Sequence, residues 1–429
     1  MRSGSPAAQR CAALKPALLV MFASLLASLL AGCAISFTPH DAASPSPSTM
    51  AVAAATSTPA PFVCANPPGT SMFYAYVDKV GALYIVRGCA ARRVAAPAGR
   101  ELSPVAFSPM ALRLLVWNNL ANPQGPDTQS CLALVDVGTL AVTPTSFCSP
   151  ANDASQTTQW LSFIGWASDA SFYMSEMASD ASVTVFFVSL PQQTRQVVTK
   201  LTWVAQVAAT GEPSGIQLRG DALYYGGYAS ASEGGAFLHR FSLVSETDTR
   251  SVRLGLAGTG GCQGTDAPCT WTGPWDITQD GDRIAYHVPG PTQSMSDTSD
   301  EANTPLYVAN SDGSGAQRLF PGQSLGNGFN QPSFSPDGGY VVTSFQAGDF
   351  SKPNTVVFER LSDGALTTAP AGLEWMSWTA QPGVALMENI TEMGAPDFAL
   401  HLELYNIATG TRTPLQTGSR GYVWAGIGS

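Results

Sequence analysis

Gly322-Gln323-Ser324-Leu325-Gly326 spells the G-x-S-x-G pattern, in which a serine oxygen is presented on a sharp bend for nucleophilic attack. That chemistry needs a strand ahead of the serine and a helix behind it, because the bend lifts the hydroxyl clear of the sheet. Here Asn327-Gly328-Phe329-Asn330 follow, then another strand pattern, so the match reads as chance. Two runs, Asp276 to Asp282 and Asn310 to Ser314, have the oxygen density of a calcium loop. A hard cation takes six to eight oxygens, and neither run supplies the distal Glu of an EF-hand. The Asp-Gly pairs within them are what tight turns require. Arg219-Gly220-Asp221 spells an integrin-type tripeptide but falls where a turn is expected. The histidines are His40, His239, His287 and His401; none stands at ligand spacing from a Cys, and CxxC does not occur. His287 and His401 fall in strand-like segments without an arranged carboxylate. Catalytic residues, metal and cofactors are therefore all read as none.

The eight cysteines report on compartment. Cys11 lies in a basic, then apolar, leader. Arg2, Arg10 and Lys15 precede an uncharged run from Ala17 to Ala31, which falls short of the roughly 20 apolar residues of a spanning helix and suits a signal peptide. The run ends in Leu30-Ala31-Gly32-Cys33, which resembles the lipobox of bacterial lipoproteins. That resemblance implies cleavage before Cys33, diacylation of its thiol and attachment to a membrane on the extracytoplasmic side. The remaining six, Cys64, Cys89, Cys131, Cys148, Cys262 and Cys269, are even in number and suggest three disulfides among the fifteen connectivities six cysteines allow. Sequential pairing is the local choice, and Cys131 and Cys148 bracket a hairpin.

The elements that carry these residues repeat. Leu83–Val86, Leu132–Val135, Val185–Val188, Phe237–Phe241, Leu306–Ala309, Val356–Phe358 and Leu402–Tyr405 are short apolar strands at spacings of about 50 residues, one of them near 70. Most are preceded by two strands joined at a turn, clearest in Pro332 to Thr343 with Asp337-Gly338 at the bend and in Trp275 to Tyr286 with Asp280-Gly281. A fourth short strand follows, as at Gln317-Arg318-Leu319. Four strands recurring at this period make a propeller blade. Phe334-Ser335-Pro336-Asp337-Gly338 together with Leu306 to Gly313 is similar to the blade motif of TolB-type β-propellers. The resemblance implies a propeller fold and an extracytoplasmic binding role, without fixed chemistry.

The expected fold is therefore all-β: a seven-bladed β-propeller over 64–429, after a signal peptide at 1–32 and a lipidated Cys with a Ser/Thr/Pro/Ala-rich tether at 33–63. Six or eight blades also fit such degenerate copies. The first blade lacks an inner strand before Phe73, and Gly421 to Ala425 is an orphan of the right type. Pairing the two would close the ring and remove two sheet edges.

Strand alternation puts the long loops at one end of the ring, where function usually lies. That end is expected to carry Trp271, Trp275, Phe329, Phe350, Asp297, Asp300, Glu301, Asp349, Glu388, Glu392 and Asp397, an acidic, aromatic surface for a protein, peptide or glycan partner. The alternative is a hydrolase or lyase at the channel mouth. Phe107, Trp166, Ile277, Phe334 and Trp378 on the inner strands read as an apolar lining, which favours binding. Charged residues are 12% of the chain, against about a quarter in a typical soluble protein. The net charge is −10 and contains no basic excess, which argues against a nucleic-acid partner.

Overall fold

The structure is a computed structural model. It describes residues 73–78, 80–88, 90–120, 130–149, 160–177, 182–190, 192–201, 204, 206–207, 215–227, 236–254, 271–272, 274–287, 306–321, 331–345, 354–389, 401–417 and 419–424. All of these belong to the unit from Pro61 to Ser429.

Thirty strands are found among the described residues. Blade 1 opens with β1 (Phe73–Asp78), β2 (Leu83–Arg87) and β3 (Ala90–Arg93). Blade 2 is β4 (Arg100–Phe107), β5 (Arg113–Leu120), β6 (Cys131–Asp136) and β7 (Val142–Cys148). Blade 3 is β8 (Trp160–Ser168), β9 (Ser171–Met177), β10 (Val183–Ser189) and β11 (Thr194–Leu201). After β12 (Gln206–Val207), blade 4 is β13 (Gln217–Arg219), β14 (Ala222–Gly227), β15 (Phe237–Ser242) and β16 (Asp248–Arg253). Then β17 (Trp271–Thr272), parallel to β12, leads into blade 5: β18 (Trp275–Ile277), β19 (Arg283–His287), β20 (Leu306–Asn310) and β21 (Gln317–Arg318). Blade 6 is β22 (Ser333–Phe334), β23 (Tyr340–Phe345), β24 (Thr355–Arg360) and β25 (Ala365–Thr368). Blade 7 is β26 (Leu373–Trp378), β27 (Val384–Asn389), β28 (His401–Asn406) and β29 (Arg412–Thr417). Finally β30 (Ser419–Trp424) returns to pair antiparallel with β1, giving blade 1 the order β3-β2-β1-β30. The chain is a seven-bladed β-propeller closed by its C-terminal strand. All seven apolar repeats read from the sequence are third strands of blades.

Period-two alternation explains how the blades stack. Each strand sends alternate side chains into the seams on its two sides. In β27, Leu386 faces blade 1 while Ala385 and Met387 face blade 6. Seven apolar clusters result, one per seam. The closing seam joins Tyr74, Tyr76 and Val86 of blade 1 to Val384, Leu386, Leu402 and Leu404 of blade 7. Phe107, Ile277 and Phe334 are buried in these seams, and Trp166 and Trp378 pack against them. The expected apolar channel lining is thereby corrected: on inner strands that alternate, the large apolar residues turn sideways between blades.

The turns repeat as strictly as the strands. The hydroxyls of Ser108, Thr278 and Ser335 accept the N–H five residues on, at 3.1, 3.0 and 2.9 Å. The slot three residues after each is left-handed: Ala111 (φ 49), Gly281 (φ 78) and Gly338 (φ 66). From the third-to-fourth-strand turns of blades 2 to 7, one N–H crosses to the first turn of the same blade. Val137, Leu190, Leu243, Ser311, Leu361 and Ile407 donate to the carbonyls of Leu112, Ala170, Asp221, Asp282, Gly339 and Gly383. These bonds knit one end of the ring into a compact rim of short turns. The longer connections emerge from the other end.

Candidate functional site

A cleft of about 420 Å³ runs along the seam between blades 2 and 3. Phe147, Leu161 and Met174 form its apolar floor, and Cys148, Glu176 and Arg195 stand beside them. Cys148 is the last residue of β7, Leu161 the second of β8 and Glu176 the last but one of β9, so these strand ends carry one side of the cleft to the end where long loops begin, while Gln193 in the β10–β11 turn and Arg195 at the start of β11 line it from the short-turn side. Cys131 and Cys148 lie opposite each other across β6 and β7 and are joined by a disulfide. It staples the wall of the cleft at the point where the connecting loop would splay it.

Arg195 is held from two sides. Its guanidinium lies over the Phe186 ring, 4.7 Å from the centroid, and donates to Glu176 Oε2 at 3.1 Å. Half its side chain remains exposed, so the pair adds little to stability, about 0–1 kcal/mol. What it supplies is a fixed cation and anion over an apolar floor, with the cation free to take a second partner. Among the described residues that line this cleft, none is a nucleophile with an oriented base. The arrangement suits recognition of an amphipathic segment: an apolar side chain for the floor, a carboxylate or carbonyl for Arg195.

The titratable groups with the tightest partners serve the scaffold. Asp276 on β18 is 8% exposed. Its Oδ2 accepts the N–H of Phe334 on blade 6 at 2.8 Å, and its Oδ1 lies 3.5 Å from Arg219 of blade 4. Arg219 also donates to Ile277 O at 3.2 Å and Gln217 Oε1 at 2.6 Å. One carboxylate thus ties three inner strands together. Burial pushes its carboxyl up, opposed chiefly by the Arg219 charge, and burial lowers Arg219. The Arg-Gly-Asp tripeptide is this device: Arg219 is turned inward and Gly220 makes the bend.

Glu359 accepts the Phe320 N–H on the link between blades 5 and 6, and its carboxyl is pushed up by burial. Glu403 receives both arms of Arg412, at 2.6 and 2.7 Å, and Asn389 at 2.8 Å. His239 Nδ1 is 2.9 Å from Asp248 Oδ2, which also accepts the Tyr225 hydroxyl at 2.8 Å. His239 is buried with its ring stacked on Tyr225. It cannot meet a substrate there.

The structure redistributes the expected binding face. Trp275 is not on the loop surface: it is 2% exposed, packed with Tyr224, Leu238 and Ile284 between blades 4 and 5. Glu388 is also withdrawn, 8% exposed on β27. In each case the residue belongs to a strand whose alternation turns it into a seam, although it stands near a long loop in sequence. The Trp271 backbone lies in β17 on the link between blades 4 and 5. Asp297, Asp300, Glu301, Phe329, Asp349, Phe350, Glu392 and Asp397 lie outside the described residues, as do Cys33, Cys64, Cys89, Cys262, Cys269 and the G-x-S-x-G segment. Sequence reading missed the cleft. Its one signal is Glu176, a carboxylate on the face of β9 that otherwise presents Phe172 and Met174; that Arg195 stands across from it is a tertiary fact.

No family profile and no curated relative matches this chain. Among solved structures it is similar to TolB from Acinetobacter baumannii, at 13% identity over 76% of this chain and 67% of that one, with TM-score 0.40. It is similar to an oligogalacturonate lyase in complex with manganese, at 14% identity over 80% and 83%, TM-score 0.44. It is also similar to a prolyl endopeptidase, at 11% identity over 82% of this chain and 50% of that one, TM-score 0.49. At such identities no activity, metal or partner passes from them to this chain. Its own strand order is what makes it a seven-bladed β-propeller.

Proposed function

We propose that this chain is an extracytoplasmic lipoprotein, attached to a membrane through lipid on Cys33, whose propeller recognises an envelope protein, peptide or glycan at its long-loop end. The anchoring half is supported by the basic n-region, the short apolar run and Leu30-Ala31-Gly32-Cys33. The Cys131–Cys148 disulfide is consistent with an oxidising compartment. The binding half is carried by the cleft between blades 2 and 3, with its apolar floor and the half-exposed Arg195 over it. A peptide segment suits that pairing best. The enzyme alternative gains less, because among the described residues the buried carboxylates and His239 are engaged in bonds within and between blades.

Two measurements test the halves separately. Growth with an alkyne-tagged fatty acid should label the protein, and Cys33→Ser should abolish the label; labelling that survives the substitution defeats the anchor. A photo-cross-linking residue placed at Ser146 in intact cells should give protein or glycan adducts, and Arg195→Glu should reduce them about tenfold, as expected for the loss of one charge-assisted bond. Adducts of equal yield from Leu366, on the outer strand of blade 6, would overturn the site.

A further inference from the structure

From Lys79 to Arg100 the chain carries Lys79, Arg87, Arg92, Arg93 and Arg100 and no Asp or Glu, in a protein with 31 acidic residues against 21 basic ones. Lys79 lies outside the described residues. Arg87, Arg92 and Arg93 lie on β2 and β3, at the outer edge of blade 1, and all three are exposed. Among the described residues no carboxylate forms an ion pair with any of them. Arg87 is paired in register with Phe73, the first residue of β1.

The basic edge continues onto blade 2 at the short-turn rim. Arg92 donates to Gly138 O at 3.1 Å, and Val137, next in the same turn, donates to Leu112 O. There Met110 and Leu112 are 68% and 60% exposed, although large apolar side chains at a rim of polar turns have no packing reason to be. Asp136, the carboxylate of that turn, is occupied by the N–H and hydroxyl of Thr139. Asp169 of blade 3 accepts the Met110 N–H at 3.0 Å, and around the rest of the rim exposed carboxylates stand at Asp221, Asp282, Asp312, Asp337 and Asp363, of which Asp221 and Asp363 are paired with Arg240 and Arg360. Exposed arginines flanking exposed apolar side chains match a membrane interface, where cations meet headgroup phosphates and apolar tips enter the layer beneath. The acidic turns of blades 4 to 6 confine the contact to one corner.

We propose that the short-turn corner of blades 1 and 2 docks on a bilayer containing anionic lipid, with Arg87, Arg92 and Arg93 against the phosphates and Met110 and Leu112 in the interfacial layer. The inference rests on the lipid-anchor reading, since a lipid at Cys33 keeps the bilayer at high local concentration and lets a weak contact persist. It tilts the ring and turns the long-loop end away from the membrane.

The test uses the full-length lipoprotein in cell envelopes, with p-benzoylphenylalanine in place of Met110, Leu112 or Val244. Val244 is 78% exposed on a short turn of blade 4 and serves as the control. Illumination should give lipid adducts from positions 110 and 112 and at least about tenfold fewer from 244. Combining Arg87→Ser, Arg92→Ser and Arg93→Ser should lower the adducts at 110 by more than about tenfold, while the protein stays in the membrane fraction. Reconstitution into vesicles of phosphatidylcholine alone should lower them equally, and equimolar phosphatidylglycerol should restore them. Adducts to protein in place of lipid, equal yields at 244, or yields indifferent to the arginines would overturn the docking surface with the anchor intact. Loss of the unaltered protein from the membrane fraction would remove the anchor reading and this inference with it.

Discussion

Asp276 shows how much a single inner-strand residue decides. Its carboxylate joins blades 4, 5 and 6 and is nearly out of water. Asp276→Ala leaves the Phe334 N–H and part of Arg219 unpartnered in the interior. It should destabilise by roughly 3 kcal/mol in chemical denaturation, because removing one member of a buried pair strands the other. Asp276→Asn keeps an acceptor for Phe334 and should lose less. The turn glycines give a second contrast at this scale. A Cβ at Gly281 would stand 2.5 Å from the Tyr224 hydroxyl oxygen, at a φ that side chains rarely adopt. Gly281→Ala should lose roughly 2 kcal/mol. Ala111 already occupies the same slot at φ 49. Ala111→Gly relieves strain but gives up chain entropy and a buried methyl, and should change the unfolding free energy by about 1 kcal/mol or less.

At the scale of elements, the short turns are held by ionised aspartates. Hydrogen bonds from Thr139, Thr278 and Ser314, and the Arg360 side chain, hold Asp136, Asp280, Asp312 and Asp363 below the ordinary carboxylate range. A carboxylate with a lowered folded pKa contributes stability that is present above its unfolded value, near 4, and is lost as pH falls through the folded one. Thermal melts should therefore drop as pH falls below about 4, and Asp280→Asn should show a smaller acid-induced drop than the parent. Asp276 and Glu359 work the other way: their raised carboxyls favour the folded state as they protonate, so they partly offset the turns. A turn-loosening trend that Asp280→Asn leaves unchanged would show that these aspartates do not carry it. On β6 and β7, replacing both Cys131 and Cys148 by Ser frees a loop of 17 residues. It should cost up to about 3 kcal/mol, less where the hairpin persists in the unfolded chain.

For the molecule as a whole, the decisive element is β30. It supplies the inner strand of blade 1 from the far end of the sequence, so the blade 7–blade 1 seam forms only when both chain ends are in place. Tyr422 is in register with Tyr76 across that pairing. Tyr422→Pro removes a ladder donor from it and exposes the edge of β1. Hydrogen exchange should accelerate at Phe73–Asp78 while β19 and β23, on the far blades, keep their protection. Unchanged protection at Phe73–Asp78 would mean that closure lends the first blade nothing.

The sequence by itself determined the repeat. Apolar strands recurring about every 50 residues, Asp-Gly at the bends and an orphan last strand specify a propeller and point to its closure, because strand pairing, turn chemistry and the need to cover a sheet edge are local or periodic rules, whereas the count of seven among six, seven or eight was fixed by the sheet order. Only the tertiary structure decided which side chains face what. Trp275 and Glu388 read as surface and lie in seams, while Arg195 and Glu176, 19 residues apart, meet over a floor built by two blades. Orientation within a strand is fixed by which neighbour it packs against. In a ring, that neighbour is a different blade on each face, and a linear pattern of apolar and polar residues does not say which.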